Sequence, residues 1–238
     1  MQPQKPLDGK VALITGANRG IGLAIAHRLG ALGASLSISA RDRNRLDAVA
    51  RDLQSSTNVA VIPADLTHAD EVAALVTKTE KALGLVDILV NNAGVGTFSP
   101  IQDASESDWD TILDTNLKAV FLLTKAVAPG MIRRKSGHIV NIASLAGKNA
   151  IPGGGIYCAS KWGLLGLTRC AAEDLRAHGI RVSAICPGSV ATEFSPHGKK
   201  DPAKMLQPED VAHAVETLVT QAPQSFISEI ELRPTQKP

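Results

Sequence analysis

The sequence predicts an α/β fold: an open sheet of seven parallel strands, doubly wound, with helices on both faces. Three observations carry this reading. Short Val/Ile/Leu-rich runs of the kind that form strands buried on both faces alternate with longer stretches whose apolar residues recur three and four positions apart. A glycine-rich turn lies between the first run and the first helical stretch. No Pro/Ser-rich linker, low-complexity tract or repeat interrupts the alternation, so residues 1–238 read as one domain. Strand, helix and strand repeated in this way imply parallel strands joined by right-handed crossovers.

Taken in order, the first strand is KVALIT (10–15), and TGANRGIG (15–22) turns it into the helical stretch IGLAIAHRLGALG. Gly30 breaks that helical pattern mildly, and Gly33 stands where a helix C-terminal glycine belongs. The next strands are SLSISA (35–40), NVAVIP (58–63) and VDILVN (86–91). A helix over 107–134 leads to HIVNIA (138–143), and one over 156–178 leads to RVSAIC (181–186). SFISEIEL (225–232) closes the sheet.

Composition excludes several function classes. Lys and Arg number 25 against 23 Asp and Glu, a formal net charge of +2, which gives no field for nucleic acid. The cluster Lys199, Lys200 and Lys204 reads as a solvated loop. Three cysteines form no CxxC pair and six histidines show no ligand spacing, so neither a disulfide scaffold nor a metal site is expected. The start MQPQKPLDGK lacks a signal peptide's apolar stretch, and no run approaches the roughly 18 to 20 apolar residues of a membrane span. A cytoplasmic protein is the expectation.

Gly16, Gly20 and Gly22 have the spacing G-x3-G-x-G rather than G-x-G-x-x-G. The physics carries over, because glycine permits the tight turn and lets a pyrophosphate approach the helix N-terminus. Asn18, Arg19 and Ile21 belong to the same nucleotide-binding loop. The second strand ends Ala40-Arg41-Asp42, with no acidic residue at its last position to meet a ribose 2′-hydroxyl. Arg41 and Arg19 instead form a clamp for a phosphate dianion, which favours NADP(H). The alternative is that either arginine is a surface charge and Asp42 takes the ribose hydroxyl.

The chain's single tyrosine, Tyr157, stands four residues before Lys161 in GGGIYCASKWGLLG, and Ser144 lies thirteen residues before it. With TGxxxGxG, the NNAG of 91–94 and the PG of 187–188, this set resembles the short-chain dehydrogenase/reductase family, in that family's motif order from about residue 8 to the last strand. The resemblance implies a Rossmann fold and a catalytic tetrad of Asn116, Ser144, Tyr157 and Lys161. A carbonyl that accepts hydride develops negative charge on oxygen, so an acid must sit against it, and the phenol of Tyr157 is that acid. A free phenol titrates near pH ~10 and an ammonium one turn away lowers that value, which gives Lys161 its first role. Lys161 can also hydrogen-bond the nicotinamide ribose, Ser144 can hydrogen-bond the carbonyl, and the family implies that Asn116 holds a water leading to Lys161.

By motif, Asp65 and Leu66 are expected beside the adenine, and Asn91, Asn92, Ala93 and Gly94 along the cofactor, with Asn91 also tying strands together. Pro187, Gly188, Val190 and Thr192 are expected around the nicotinamide. The substrate loop falls between Val190 and Gln207, with Phe194 and Met205 apolar and Val95, Phe98 and Ile151 opposite; Cys158 is read as packing. The chain ends ISEIELRPTQKP where many family members carry an Asp-Gly-Gly type turn. The expected function is an NADPH-dependent reductase of a ketone or aldehyde. The alternatives are a 3-oxoacyl-thioester reductase, to which the basic MIRRKSG (131–137) points, and a non-catalytic NADP(H)-binding sensor. The family also implies a homodimer or homotetramer built on the helices of 107–134 and 156–178.

Overall fold

A computed structural model describes residues 4–194 and 201–238. The strands are β1 Val11–Thr15, β2 Ser35–Ser39, β3 Val59–Val61, β4 Ile88–Asn91, β5 Gly137–Ile142, β6 Ile180–Pro187 and β7 Glu229–Leu232. They form one seven-stranded sheet in the order β3-β2-β1-β4-β5-β6-β7, with each neighbouring pair parallel. The helices are α1 Gly20–Ala31, α2 Arg43–Leu53, α3 Ala69–Leu83, α4 Glu106–Leu113, α5 Ala119–Arg134, α6 Gly155–Arg176 and α7 Pro208–Val219.

Alternation along each strand divides the core into two layers. In β1, Ala12 and Ile14 face a layer with Ile25 and Leu29 of α1, Leu46 of α2 and Val215 of α7. Leu13, between them, faces the other layer with Leu75 of α3, Leu123 of α5 and Leu175 of α6. Helices therefore cover both faces, as the Val/Ile/Leu-rich runs require.

The ends of the sheet are shorter than the sequence suggests. β3 spans three residues where 58–63 was expected, and β7 four where 225–232 was expected. Both are edge strands with a neighbour on one side only, and Pro63 offers no N–H to continue β3. α1 ends as expected, with Gly33 in the left-handed region at φ +99°. The helix expected over 107–134 is broken by a π-helical turn at Asp114–Lys118, which contains Asn116. Such a turn widens the backbone locally and often marks a functional position.

Candidate active site

Strand order reverses between β1 and β4, and the crevice above the C-terminal ends of such strands is where open parallel sheets bind ligands. A cavity of about 1150 Å³ opens there. The crevice is pinned across the switch by β1. The Thr15 hydroxyl accepts from the backbone N–H groups of Asn92 and Ala93, both at 3.1 Å, and the Asn92 amide donates to Thr15 O at 2.9 Å.

The glycine loop forms one end. Gly16 adopts φ +65°, and a Cβ on Gly22 would stand 2.2 Å from the Gly16 carbonyl oxygen, so the loop folds this tightly only with glycine. The first turn of α1 has no side-chain cap and no acidic residue, which leaves its N–H groups and dipole free to receive a phosphate. Gly16, Asn18, Arg19, Gly20 and Ile21 line the cavity, as do Asp65, Leu66, Asn92, Ala93, Gly94, Pro187, Gly188, Val190 and Thr192.

Three expected residues lie elsewhere. Gly22 is behind the loop, packed against Gly16 O and the Asn92 amide, and does not line the cavity. Asn91 is 3% exposed and donates to Asn141 Oδ1 at 2.8 Å, so it ties β4 to β5 and does not line the cofactor crevice. Asn116 is also off the wall. Its amide donates to Val95 O and Ser160 Oγ while its Oδ1 accepts from Val95 N–H, so its side chain clamps the segment after β4.

The adenosine end carries more charge than the sequence reading assigned it. Arg41 lines it with Arg19 and also Arg45, one turn into α2. Nothing local in the sequence marked this third guanidinium, which stands in a run of mixed charges. Asp42 caps α2 by accepting from Arg45 N–H at 3.0 Å, so its carboxylate is engaged locally. Hydrogen bonds from Thr67 hold the Asp65 carboxyl below its ordinary range, and Arg41 adds to this more weakly. Glu193 reaches in from the segment after β6, with its carboxylate 2.5 Å from Arg19 Nη1 and 3.6 Å from Arg45 Nη1. An anion of the protein's own thus stands among these guanidiniums, and the donor set suits a phosphate monoester.

The catalytic end is buried. Ser144 stands two residues past the end of β5 and caps the short turn Leu145–Gly147, accepting from Ala146 N–H at 3.0 Å, which leaves its O–H free to donate. Tyr157 and Lys161 lie one turn apart on α6, 8% and 5% exposed. Lys161 Nζ donates to Ile142 O at 3.0 Å. Burial pushes the Tyr157 phenol up to about 12, with a hydrogen bond from Ser144 pulling it down, and burial pushes Lys161 down to about 8.

The expected lowering of the phenol by Lys161 is therefore not what sets its state: burial raises it, and the group that lowers it is Ser144. Nζ sits 5.8 Å from the tyrosine ring centroid and points at a carbonyl, while the loss of hydration penalises the phenolate directly. Near neutral pH the pair is a neutral phenol beside an ammonium, which is the protonation state a proton donor needs.

Apolar walls flank the phenol. Phe98 and Phe194 tilt against the Tyr157 ring with centroids at 5.5 and 5.8 Å, and Val95, Ile151 and Met205 line the same space. Cys158 packs beside Ala146, with its thiol directed at Asn149 O. Residues 195–200 of the expected substrate loop, including Lys199 and Lys200, lie outside the described residues. The unusual C-terminus does reach the cavity, through Arg233, Pro234, Gln236, Lys237 and Pro238. The sequence marked that segment only as a departure from the family pattern.

Among the described residues, no group of three or more His, Cys, Asp or Glu could hold a metal ion, and no helix is long and apolar enough to cross a membrane.

Comparison with known proteins agrees with this geometry. The family model "short chain dehydrogenase" matches residues 10–203. An uncharacterized oxidoreductase of Staphylococcus saprophyticus is 36% identical over 96% of this chain and 98% of its own length. A 3-oxoacyl-[acyl-carrier-protein] reductase of Synechocystis sp. is also 36% identical, over 93% of this chain and 94% of its own. Among solved structures, a metagenomic short-chain oxidoreductase in complex with NADP is 47% identical with a TM-score of 0.87, covering 98% of this chain and 100% of that one. An alcohol dehydrogenase from the archaeon Thermococcus sibiricus, complexed with 5-hydroxy-NADP, superposes with a TM-score of 0.90 at 32% identity, covering 96% and 98%.

Proposed function

The chain belongs to the short-chain dehydrogenase family of oxidoreductases, and from that premise we propose that it is an NADPH-dependent reductase of ketones or aldehydes, reversible toward the alcohol. One observation carries the reading: the buried phenol of Tyr157, the buried ammonium of Lys161 and the half-buried Ser144 line the same cavity as an uncapped helix N-terminus with Arg19, Arg41 and Arg45.

The nicotinamide, when bound, supplies the hydride to the carbonyl carbon. Tyr157 gives its proton to the carbonyl oxygen, and Ser144 donates a hydrogen bond to the same oxygen and steadies its developing charge. Lys161 holds a positive charge beside the phenolate left behind, then passes it a proton and takes one back from water. Asn116 is a positioning residue, since its amide fixes Val95 against the catalytic side. Gly94 keeps open the space between Asn116 and Lys161, where a Cβ would stand 3.3 Å from Asn116 Oδ1 and 3.8 Å from Lys161 Nζ. The cofactor is NADP(H), supported by Arg19, Arg41 and Arg45 and by the NADP complex of the metagenomic relative.

Reduction of a 3-oxoacyl thioester is the second reading, supported by the Synechocystis relative. The basic segment 131–137 gives it little help. It leads into the start of β5 and so lies at the N-terminal end of the strands, opposite the cavity, and Arg134 is turned inward to donate to Val86 O at 2.7 Å. The same proposal takes residues 1–238 as one domain in a cytoplasmic homodimer or homotetramer. The large exposed side chains Trp109, Phe121 and Trp162 on α4, α5 and α6 support an assembly through those helices.

Initial rates with NADPH and NADH against a panel of simple carbonyls and a 3-oxoacyl thioester test the reading. NADPH-dependent reduction is the expected result, and the better substrate decides between the two classes. Tight NADPH binding without turnover on any of them would move the protein to a cofactor-sensing role.

A further inference from the structure

We propose that Glu193 is a specificity-determining residue whose carboxylate holds the guanidiniums a 2′-phosphate would take, and that this phosphate displaces it when NADP(H) binds. The inference deepens the proposed function and rests on its assignment of Arg19 and its neighbours to the 2′-phosphate. The carboxylate of Glu193 lies 2.5 Å from Arg19 Nη1 and 3.6 Å from Arg45 Nη1, and all three residues line the cavity. Two guanidiniums converging on one anion are the arrangement that a phosphate dianion would use, and Glu193 already occupies it.

The chemistry makes the site an exchange rather than a lock. The ion pair is exposed, with the Arg19 and Glu193 side chains 51% and 65% accessible, so it is weakly held and easily broken. A dianion arriving at the same guanidiniums repels the carboxylate and replaces it. A ribose 2′-hydroxyl does neither, so NAD(H) leaves Glu193 in place. A ligand shifts such an equilibrium only by its differential affinity for the two states, and here the 2′-phosphate alone supplies one.

The position of Glu193 in the chain gives the exchange a reach beyond the adenosine end. Thr192 Cγ2 lies 3.2 Å from where a Cβ on Gly20 would stand, and the Phe194 ring packs on Tyr157 at 5.8 Å. Three consecutive residues thus touch the glycine loop, the phosphate clamp and the catalytic phenol. Displacing the middle one frees the segment that carries both the nicotinamide-side threonine and one wall of the substrate space.

The test compares 2′,5′-ADP with 5′-AMP by calorimetric titration at low salt, in wild type, Glu193→Gln, Arg19→Gln and the double variant. Glu193 is exposed, so its replacement leaves folding intact. Wild type should prefer 2′,5′-ADP. Glu193→Gln should bind 2′,5′-ADP about three- to ten-fold more tightly and 5′-AMP unchanged, because an internal competitor has been removed. In the Arg19→Gln background the same substitution should gain little, since the carboxylate acts through that guanidinium. Equal affinities of wild type for the two nucleotides would overturn the NADP(H) assignment, and this inference with it. A wild-type preference for 2′,5′-ADP that Glu193→Gln leaves unchanged, or a gain shared equally by 5′-AMP, would overturn the role of Glu193 alone.

Discussion

The two ends of the cavity are built on opposite principles. At the end proposed as catalytic, above β5, the polar groups are few, with Tyr157 and Lys161 buried and Ser144 half-buried. Tyr157 and Lys161 are almost wholly enclosed, and Lys161 and Ser144 are fixed by backbone partners. At the adenosine end, above β2, the groups are numerous, charged and exposed, and they share partners: Arg19 and Arg45 share Glu193, while Arg45 also pairs with Asp42. Burial makes the first set irreplaceable, because each group's protonation state is a product of its surroundings. Exposure makes the second set redundant, because water and neighbouring charges screen each contact. On the proposed function, reactivity is therefore concentrated in single residues, and cofactor choice is spread over several.

The sharpest way to break the contrast is at Tyr157. Tyr157→Phe should lower kcat by about 10²- to 10⁴-fold with NADPH affinity nearly unchanged, measured by steady-state rates and fluorescence titration. Activity that survives would show that the buried end is not where the proton comes from. Ser144→Ala should come next, costing about 10²-fold in kcat through loss of the hydrogen bond to the carbonyl oxygen.

The adenosine end should respond more gently. Arg41→Ala alone should raise the KM for NADPH by about ten-fold and leave that for NADH unmoved, with Arg19→Ala adding to it. An equal loss for both cofactors would remove the arginines from the phosphate site.

The smallest effect is one of pH, and it sharpens the comparison by reading burial directly. Lys161 is pushed down to about 8, so it is charged below that pH and loses its proton above it. In the reductive direction kcat/KM, which reports the free enzyme, should fall as pH rises through about 8. Lys161→Arg should lose that break, because a guanidinium stays protonated.

The sequence carried unequal amounts of these two ends. Tyr157, Lys161 and Ser144 were legible because their spacing survives in the chain: one helical turn for the first pair, and a strand end followed by a short crossing for the third. The glycine loop was legible because only glycine meets its backbone demands at Gly16 and Gly22. Arg45 and Glu193 were not. An arginine in an acidic and basic run looks like any surface charge, and Glu193 is 174 residues from the Arg19 it contacts. The C-terminal strap Arg233 to Pro238 was equally invisible as a wall, since nothing local in RPTQKP marks a cavity.

What the sequence determined by itself was order and chemistry. Alternating apolar periods dictate a parallel doubly wound sheet, and a phenol four residues before a lysine on one helix dictates a shared face, because both follow from repeats of two and 3.6 residues that are local. Only the tertiary structure decided state and partnership. It decided that Tyr157 is held above and Lys161 below their ordinary pKa, that Asn116 clamps Val95 from a π turn, and that Glu193 pairs with Arg19 and Arg45. Those depend on burial and on contacts between distant segments, and neither quantity exists until the chain has closed on itself.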